Sequence, residues 1–369
     1  MLIVIVKFLP EYCDKDLIRE FDKIKEENIP LDEAFVKEFG YNLLKAKYFL
    51  DNYIVHHSNE NDTIDSNPWK LQFWQKEGKN EYLKNLDGES EIQYKLIQLL
   101  SMFEVSFTAR QRKNYLFYCL LHLFKEGSNI GKYYEFINGL ADKYFKDVYL
   151  DPNKLNSINT PNPGSFDSTI LINNQLSVIP QNINEDFTGI YGDGTEKSNG
   201  ISLFVFNYLD YKLWEKYFDE LRGEKTKEGS SERKSFFDTL GCSDFGLKLF
   251  EQFYFSRTRR SLEHFYPQSK ADGKENRPSQ DQINCLGNYA MIGSEMNSSG
   301  NNWDPNAKLS HYLDGGKIKQ VSVASIKFMV MMQKCKDNLL ANHRKTSLEW
   351  IFDDIKEHQE KMVNILLGN

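Results

Sequence analysis

Apolar residues recur at helical spacing through much of the first 150 residues. In the segment IQYKLIQLLSMF, they fall on one face of a helix with 3.6 residues per turn: Ile92, Leu96, Leu99, Leu100 and Phe103. The segment YLFYCLLHLF repeats the pattern from Leu116 to Phe124. The polar stretch from His56 to Pro68 contains several residues that break helices. We therefore predict a helical domain over residues 1–150, with one loop between its helical segments.

The hydrophobic pattern changes at residue 151. Residues 151–200 are rich in Asn, Pro, Gly and Ser, which predicts a connecting segment with one short strand near residues 170–172. Helical spacing returns in ISLFVFNYLDYKLWEKYFDEL and again after Val321, with an exposed turn expected from Lys225 to Lys234. We therefore assign residues 201–369 to a second, mainly helical domain.

Length and composition restrict the class of protein. A chain of 369 residues and 43.2 kDa with 40% hydrophobic residues is large enough for two domains with buried cores. The apolar opening MLIVIVKFLP is too short to span a membrane and lacks the features of a secretory signal. The five cysteines are scattered without a CxxC pair, which is typical of reduced thiols. We therefore expect a cytoplasmic protein.

Charge is distributed unevenly along the chain. The net charge is -7, to which residues 252–369 contribute about +3 and residues 1–251 about -10. Non-specific binding of nucleic acid depends on the neutralisation of phosphates by Lys and Arg. The C-terminal third is therefore the part suited to contact a polyanion.

Residues 257–312 combine short apolar runs with polar side chains that can carry chemistry. The run from Leu262 to Phe265 predicts a strand, and the run from Ile283 to Ile292 predicts a second strand. Asn297 follows at a predicted helix start. A strand, a loop, a strand and a helix can together support a small metal site.

Four side chains of this segment offer suitable donor atoms. Glu263 supplies a carboxylate, His264 an imidazole, and Asn288 and Asn297 amide oxygens. Oxygen donors of this kind suit Mg²⁺, and a neutral His can accept a proton from water near pH 7. Arg257, Arg259 and Arg260 directly precede the first strand, where they could hold a phosphate backbone.

Three motifs resemble a known nuclease module. The strings LEHFYPQ, LGNYAMI and EMNSSGNNW, followed by Lys308 and Tyr312, resemble the HNH nuclease module of GmrSD-type modification-dependent restriction endonucleases. The earlier strings YFLDNYIVHH and NPWKLQFW are similar to the helical region that precedes this module. The resemblance implies a mainly α fold with a small ββα-metal finger at residues 257–312, embedded between helices.

The resemblance also implies a role for each motif residue. His264 matches the general base, and Asn288 matches the middle Asn, which orients that His or shapes its loop. Glu263 and Asn297 match metal-binding positions, although Asn297 stands where the HNH pattern has His. Lys308 matches a residue that could contact phosphate. The implied cofactor is Mg²⁺, with Mn²⁺ as a substitute.

The resulting hypothesis is a Mg²⁺-dependent DNA endonuclease of a restriction or anti-phage system. Proteins of the resembled family usually carry a ParB-like nucleotide-hydrolysing domain, and the nearest string here, Asp87-Gly88-Glu89-Ser90, does not match its signature. The resemblance therefore implies either the separate nuclease half of a split system, with a protein partner that supplies this domain, or the C-terminal part of a longer protein. Two alternatives remain: a catalytically weak subunit that binds DNA or a partner, and an HNH nuclease that cleaves RNA.

Overall fold

The computed structural model divides the chain into two compact units. It describes residues 22, 30–58, 67–107, 109–151, 165–173, 175–181, 202–222, 227–274, 277–293, 303, 305, 307–308, 313–314, 317–318, 325–341 and 350–368. The first unit comprises the described parts of residues 1–58, 69–144 and 163–181. The second unit comprises the described parts of residues 59–68, 145–162 and 182–369. Both units are mainly helical, as predicted.

The first unit contains five helices among its described residues. They are α1 (Glu33–Tyr53), α2 (Glu91–Ser106), α3 (Ala109–Glu126), α4 (Ile130–Lys143) and α5 (Ser165–Ile170). Ser90 caps the start of helix α2, because its hydroxyl accepts a hydrogen bond from the amide of Gln93 at 3.0 Å. The predicted apolar face of α2 is confirmed, because Leu96, Leu99 and Phe103 are fully buried.

A β-hairpin interrupts the helices of the first unit. Strand β3 (Gln72–Glu77) pairs antiparallel with β4 (Asn80–Asn85), where the sequence pattern predicted only helix and loop. Gly78 has a φ of +62° in the two-residue turn, a conformation that glycine adopts without steric cost. Short ladders also join β1 (His56–His57) to β2 (Trp69–Lys70), and β5 (Leu171–Ile172) to β6 (Gln175–Leu176). The β5 strand confirms the short strand predicted near residues 170–172.

The second unit surrounds one longer strand pair with helices. The helices are α6 (Leu203–Leu221), α7 (Ser231–Leu240), α8 (Lys248–Glu251), α9 (Gln280–Ile283), α10 (Ile326–Leu340) and α11 (Phe352–Leu367). The strands are β7 (Arg259–His264), β8 (Tyr289–Gly293), β9 (Leu313–Asp314) and β10 (Lys317–Ile318). Helix α7 begins inside the expected turn, because the Ser230 hydroxyl caps it by accepting from the amide of Arg233.

The β7–β8 pair is anchored in a core that it shares with α10 and α11. Phe265, directly after β7, is fully buried, with ring centroids 5.0 Å from Trp350 and 5.8 Å from Phe328. Consecutive strand residues point to opposite faces, so the burial of Phe265 turns His264 away from this core. The predicted second strand is shorter than expected. Residues up to Ile283 form helix α9, and only residues from Tyr289 onward join the ladder.

Candidate active site

The end of the β7–β8 ladder brings two of the three motif blocks together. His264 lies opposite Tyr289 and Glu263 lies opposite Ala290 in the antiparallel register. One further backbone bond extends the pairing, because the amide of Phe265 donates to the carbonyl of Asn288 at 2.8 Å. The strand that carries LEHFYPQ is therefore fixed against the strand that carries LGNYAMI.

His264 is half-buried and held on two sides. Its Nε2 lies 2.9 Å from Oδ1 of Asn284, and its ring centroid lies 4.4 Å from that of Tyr289. The Tyr289 hydroxyl donates to the same Asn284 oxygen at 3.3 Å. Burial lowers the pKa of His264, the nearby Lys308 ammonium lowers it further, and the bond with Asn284 partly opposes both effects. The neutral imidazole is therefore favoured at pH 7, and it can accept a proton from water.

Asn288 is fully buried and bonds only to backbone groups in the contacts that the structure gives it. Its Nδ2 donates to the carbonyls of Tyr266 at 3.0 Å and Ile283 at 3.1 Å. Its Oδ1 accepts from the amide of Tyr266 at 2.8 Å. These bonds tie the chain that leaves β7 to the turn before β8. They favour the loop-shaping role among the two that the resemblance implies.

Lys308 lies inside the site and not on its surface. Its side chain is 1% exposed, and its Nζ lies 2.6 Å from Oε1 of Glu263. The same ammonium donates to the carbonyl of Phe265 at 2.9 Å and to that of His264. All three of its protons therefore have protein acceptors. This placement favours a role in holding the end of β7 over the expected contact with phosphate.

The described residues supply only part of a metal centre. They contain no group of three or more His, Cys, Asp or Glu side chains that could hold an ion. Glu263 does attract a cation, but that cation is the Lys308 ammonium. Asn297, the second metal position implied by the resemblance, lies outside the described residues. The donor set described so far is therefore too small to fix a metal ion.

The three arginines before β7 differ in their surroundings. Arg257 and Arg260 are exposed. The Arg259 side chain is fully buried, with its Nη2 3.7 Å from Oδ2 of Asp210 on α6. Its guanidinium also lies 4.9 Å from the ring centroid of Phe253. An interior guanidinium cannot reach a DNA backbone in this conformation, so the placement of Arg259 favours an ion pair in the core.

Three residues that the sequence pattern did not single out support the site. Asn284 contacts His264, and Asp210 accepts a hydrogen bond from the amide of Lys327 at 3.0 Å. Lys327 is buried, and its Nζ donates to the carbonyl of Tyr289. Burial raises the pKa of Asp210 to about 6, against the opposing effect of Arg259, and burial lowers the pKa of Lys327 to about 7. Only Asn284 had a local signal, because it lies just before the LGNYAMI block.

Comparison with known proteins agrees with the motif resemblance. Residues 195–365 match the family model described as GmrSD restriction endonucleases, C-terminal domain. This range includes all of the candidate site residues, and it confirms the resemblance for the C-terminal region of the chain. No curated protein and no solved structure matches the chain. In the part of the chain that the structure describes, no helix has the length and apolarity that a membrane crossing requires.

Proposed function

We propose that this chain is a DNA endonuclease of a restriction or anti-phage system, with His264 as its general base. The family match over residues 195–365 supports a nuclease of the restriction type and DNA as its substrate. The observation that carries the assignment of the base is the half-buried His264 imidazole, whose pKa is lowered by burial and whose Nε2 bonds to Asn284. A neutral, oriented imidazole is the form that a general base requires.

The reaction that we propose is hydrolysis of a phosphodiester. His264 takes one proton from a water molecule while the water oxygen forms a bond to phosphorus. The phosphorus bond to the 3′ oxygen then breaks, and the leaving oxygen takes a proton from solvent. Exposed Arg257 and Arg260 contact the flanking backbone through charge-assisted hydrogen bonds.

We propose Mg²⁺, or Mn²⁺ in its place, as the cofactor. Glu263 and Asn297 would hold it, and when bound it would supply Lewis-acid stabilisation of charge on the phosphate. Activity should disappear in EDTA and return when Mg²⁺ is added in excess. Glu263→Gln and Asn297→Ala should each raise the Mg²⁺ concentration that gives half-maximal activity. Full activity of the wild type in EDTA would remove the metal from this proposal.

The test of the proposed base is plasmid nicking. His264→Ala should reduce the cleavage rate about 10²–10⁴-fold, because removal of a general base typically has an effect of that size. His56→Ala is the matched control, since His56 is exposed in the first unit and its Nε2 bonds to the backbone of Asp51. A folded His264→Ala protein that nicks at the wild-type rate would exclude His264 as the base.

One observation favours a second candidate function. The Glu263 carboxylate is neutralised by Lys308, as it would be in a subunit that binds DNA or a partner without cutting it. Supercoiled plasmid and a structured RNA, each incubated with Mg²⁺ or Mn²⁺, separate the candidates. Nicked plasmid supports the DNA endonuclease, cleaved RNA alone supports a ribonuclease, and two intact substrates support the binding subunit.

We also propose a protein partner that carries a ParB-like nucleotide-hydrolysing domain. Support comes from apolar side chains of the first unit that face solvent: Val36, Tyr41, Leu44 and Tyr48 on α1, and Trp74 on β3. Exposed apolar side chains of this kind are typical of protein interaction sites. The isolated chain should nick DNA weakly and without preference, and the partner should raise both rate and selectivity. Strong, modification-selective cleavage by the chain alone would overturn this proposal.

A further inference from the structure

Asn284 is the side chain that contacts the ring nitrogen of the candidate base. It lies in the turn between α9 and β8, and its amide is half-buried. Its Oδ1 is 2.9 Å from Nε2 of His264 and 3.3 Å from the Tyr289 hydroxyl. Two separate groups of the site therefore converge on one oxygen atom.

The chemistry of this oxygen decides which ring nitrogen carries the proton. A carbonyl oxygen of an amide accepts hydrogen bonds and has no proton to donate. In the structure the Asn284 atom that faces the imidazole is Oδ1, and the Tyr289 hydroxyl contacts the same atom. Nε2 must then be the protonated nitrogen of the neutral ring. The lone pair is left on Nδ1, which is the atom that can accept a proton.

We propose that Asn284 is a positioning residue that fixes the orientation and the tautomer of His264, so that Nδ1 acts as the base. The inference rests on the proposed function, since it assigns a task to the ring that is proposed to activate water. Asn284 does not touch substrate in this scheme and acts only through His264. The ring contact with Tyr289 limits rotation of the imidazole from its other side.

Asn284 and Asn288 lie close in sequence but have different hydrogen-bond partners and different roles. Asn288 bonds to the backbone of Tyr266 and Ile283 and therefore shapes the turn. Asn284 emerges from that turn and bonds to a side chain of the opposite strand. Asn288 therefore stabilises the turn, and the turn places Asn284 in contact with His264.

The first experiment measures the tautomer directly and does not depend on activity. The ¹⁵N chemical shifts of the His264 ring, assigned by comparison with His264→Ala, distinguish protonated from unprotonated nitrogens at a pH where the ring is neutral. We expect a protonated Nε2 and an unprotonated Nδ1 in the wild type. A protonated Nδ1 would mean that the amide is turned the other way, and it would overturn the proposal even if His264 proved essential for cleavage.

The second experiment separates positioning from folding. Asn284→Ala should lower kcat about 10–100-fold with little change in KM, because supporting partners of catalytic groups typically have effects of that size. Asn284→Asp should return kcat to within about threefold of wild type, because a carboxylate oxygen also accepts from Nε2. Tyr289→Phe removes only the second donor to Oδ1 and should have a smaller effect than Asn284→Ala.

Gln280→Ala is the matched control. Gln280 is an exposed amide on α9 that bonds to the backbone of Gln268 and Ala271, so its loss should leave kcat unchanged. Wild-type kcat in Asn284→Ala, or a loss that Asn284→Asp does not restore, would overturn the positioning role. Those results leave the proposed function intact as long as His264→Ala is inactive. Activity in His264→Ala would instead overturn the proposed function, while the tautomer measurement would still test the bond to Asn284.

Discussion

Gly287 lies directly against the backbone of Ile355 on α11. A Cβ atom at residue 287 would lie 2.1 Å from the Ile355 carbonyl oxygen and 3.0 Å from Cβ of Gln359. The Gly287 amide also donates to Oε1 of Gln359 at 3.2 Å. The turn that carries Asn284 and Asn288 is therefore packed against a helix that leaves no space for a side chain.

Gly287→Ala should destabilise the second unit and distort the site. The backbone oxygen cannot move aside as a flexible side chain could, so the turn or the helix must shift. Overpacking of this kind typically lowers the free energy of unfolding by about 1–3 kcal/mol, and sometimes by more. Denaturant unfolding measures the change. Gly40→Ala is the control, because a Cβ at residue 40 of α1 meets no atom within 4 Å and Ala favours helix. Equal stability of the Gly287→Ala and wild-type proteins would contradict this packing.

Lys308→Met should destabilise the fold before it affects any contact with DNA. The Glu263 carboxylate would be left buried without its cation, and breaking a buried pair in this way typically costs about 3–5 kcal/mol. The double variant Lys308→Met with Glu263→Gln removes both charges and should recover part of the loss. Lys274→Ala, at an exposed position, should leave the stability unchanged. A stable Lys308→Met protein with weakened DNA binding would favour the phosphate contact that the resemblance implied.

A salt titration of DNA binding should distinguish the two exposed arginines near the start of β7 from the buried one. Arg257 and Arg260 are exposed, so Arg257→Ala with Arg260→Ala should reduce the slope of log K against log salt by about 1–2, as expected for two lost phosphate contacts. Arg259→Met should leave the slope unchanged and lower the unfolding free energy, because its partner Asp210 is buried. An unchanged slope in the double variant would exclude both exposed arginines from the interface.

The pH dependence of cleavage should reflect the lowered pKa of His264. A base works only when unprotonated, so activity is full above its pKa and is lost as the pH falls through it. Because burial lowers this pKa, kcat/KM should decline only below about pH 6.5, the ordinary value for histidine. The measurement is a pH profile of kcat/KM on a plasmid substrate at constant ionic strength. A midpoint above pH 6.5 would show that the protonated ring is stabilised, in conflict with its burial.

Local sequence patterns were enough to predict the two strands that carry the candidate site residues. Strand-like runs around Glu263 and Tyr289 predicted β7 and β8, because alternation and neighbouring turn residues act over short distances. The second strand was predicted too long, since its apolar residues before Tyr289 also suit helix α9 and the turn after it. Short apolar runs do not distinguish these alternatives by periodicity alone.

The orientation of the charged residues could not be predicted in the same way. Arg259 belongs to a run that reads as a solvated face, but its partner Asp210 lies on α6, far away in sequence. The strand register is also irregular between Arg259 and Ser261. This irregularity breaks the regular alternation from which one would predict which side chains point to the core and which to solvent. Lys308 is buried because Glu263 and two backbone carbonyls surround it. Each of these contacts depends on residues that only the folded chain brings together.

The close packing of Gly287 against α11 also matters while the chain is being synthesised. The ribosome synthesises β7 and β8 well before residues 352–367, which form α11. This helix packs against the turn that precedes β8. Until that helix has left the ribosome, the turn that carries Asn284 and Asn288 has no surface to pack against. We therefore expect the arrangement of Asn284 and Asn288 around His264 to be completed only after residues 352–367 have been synthesised.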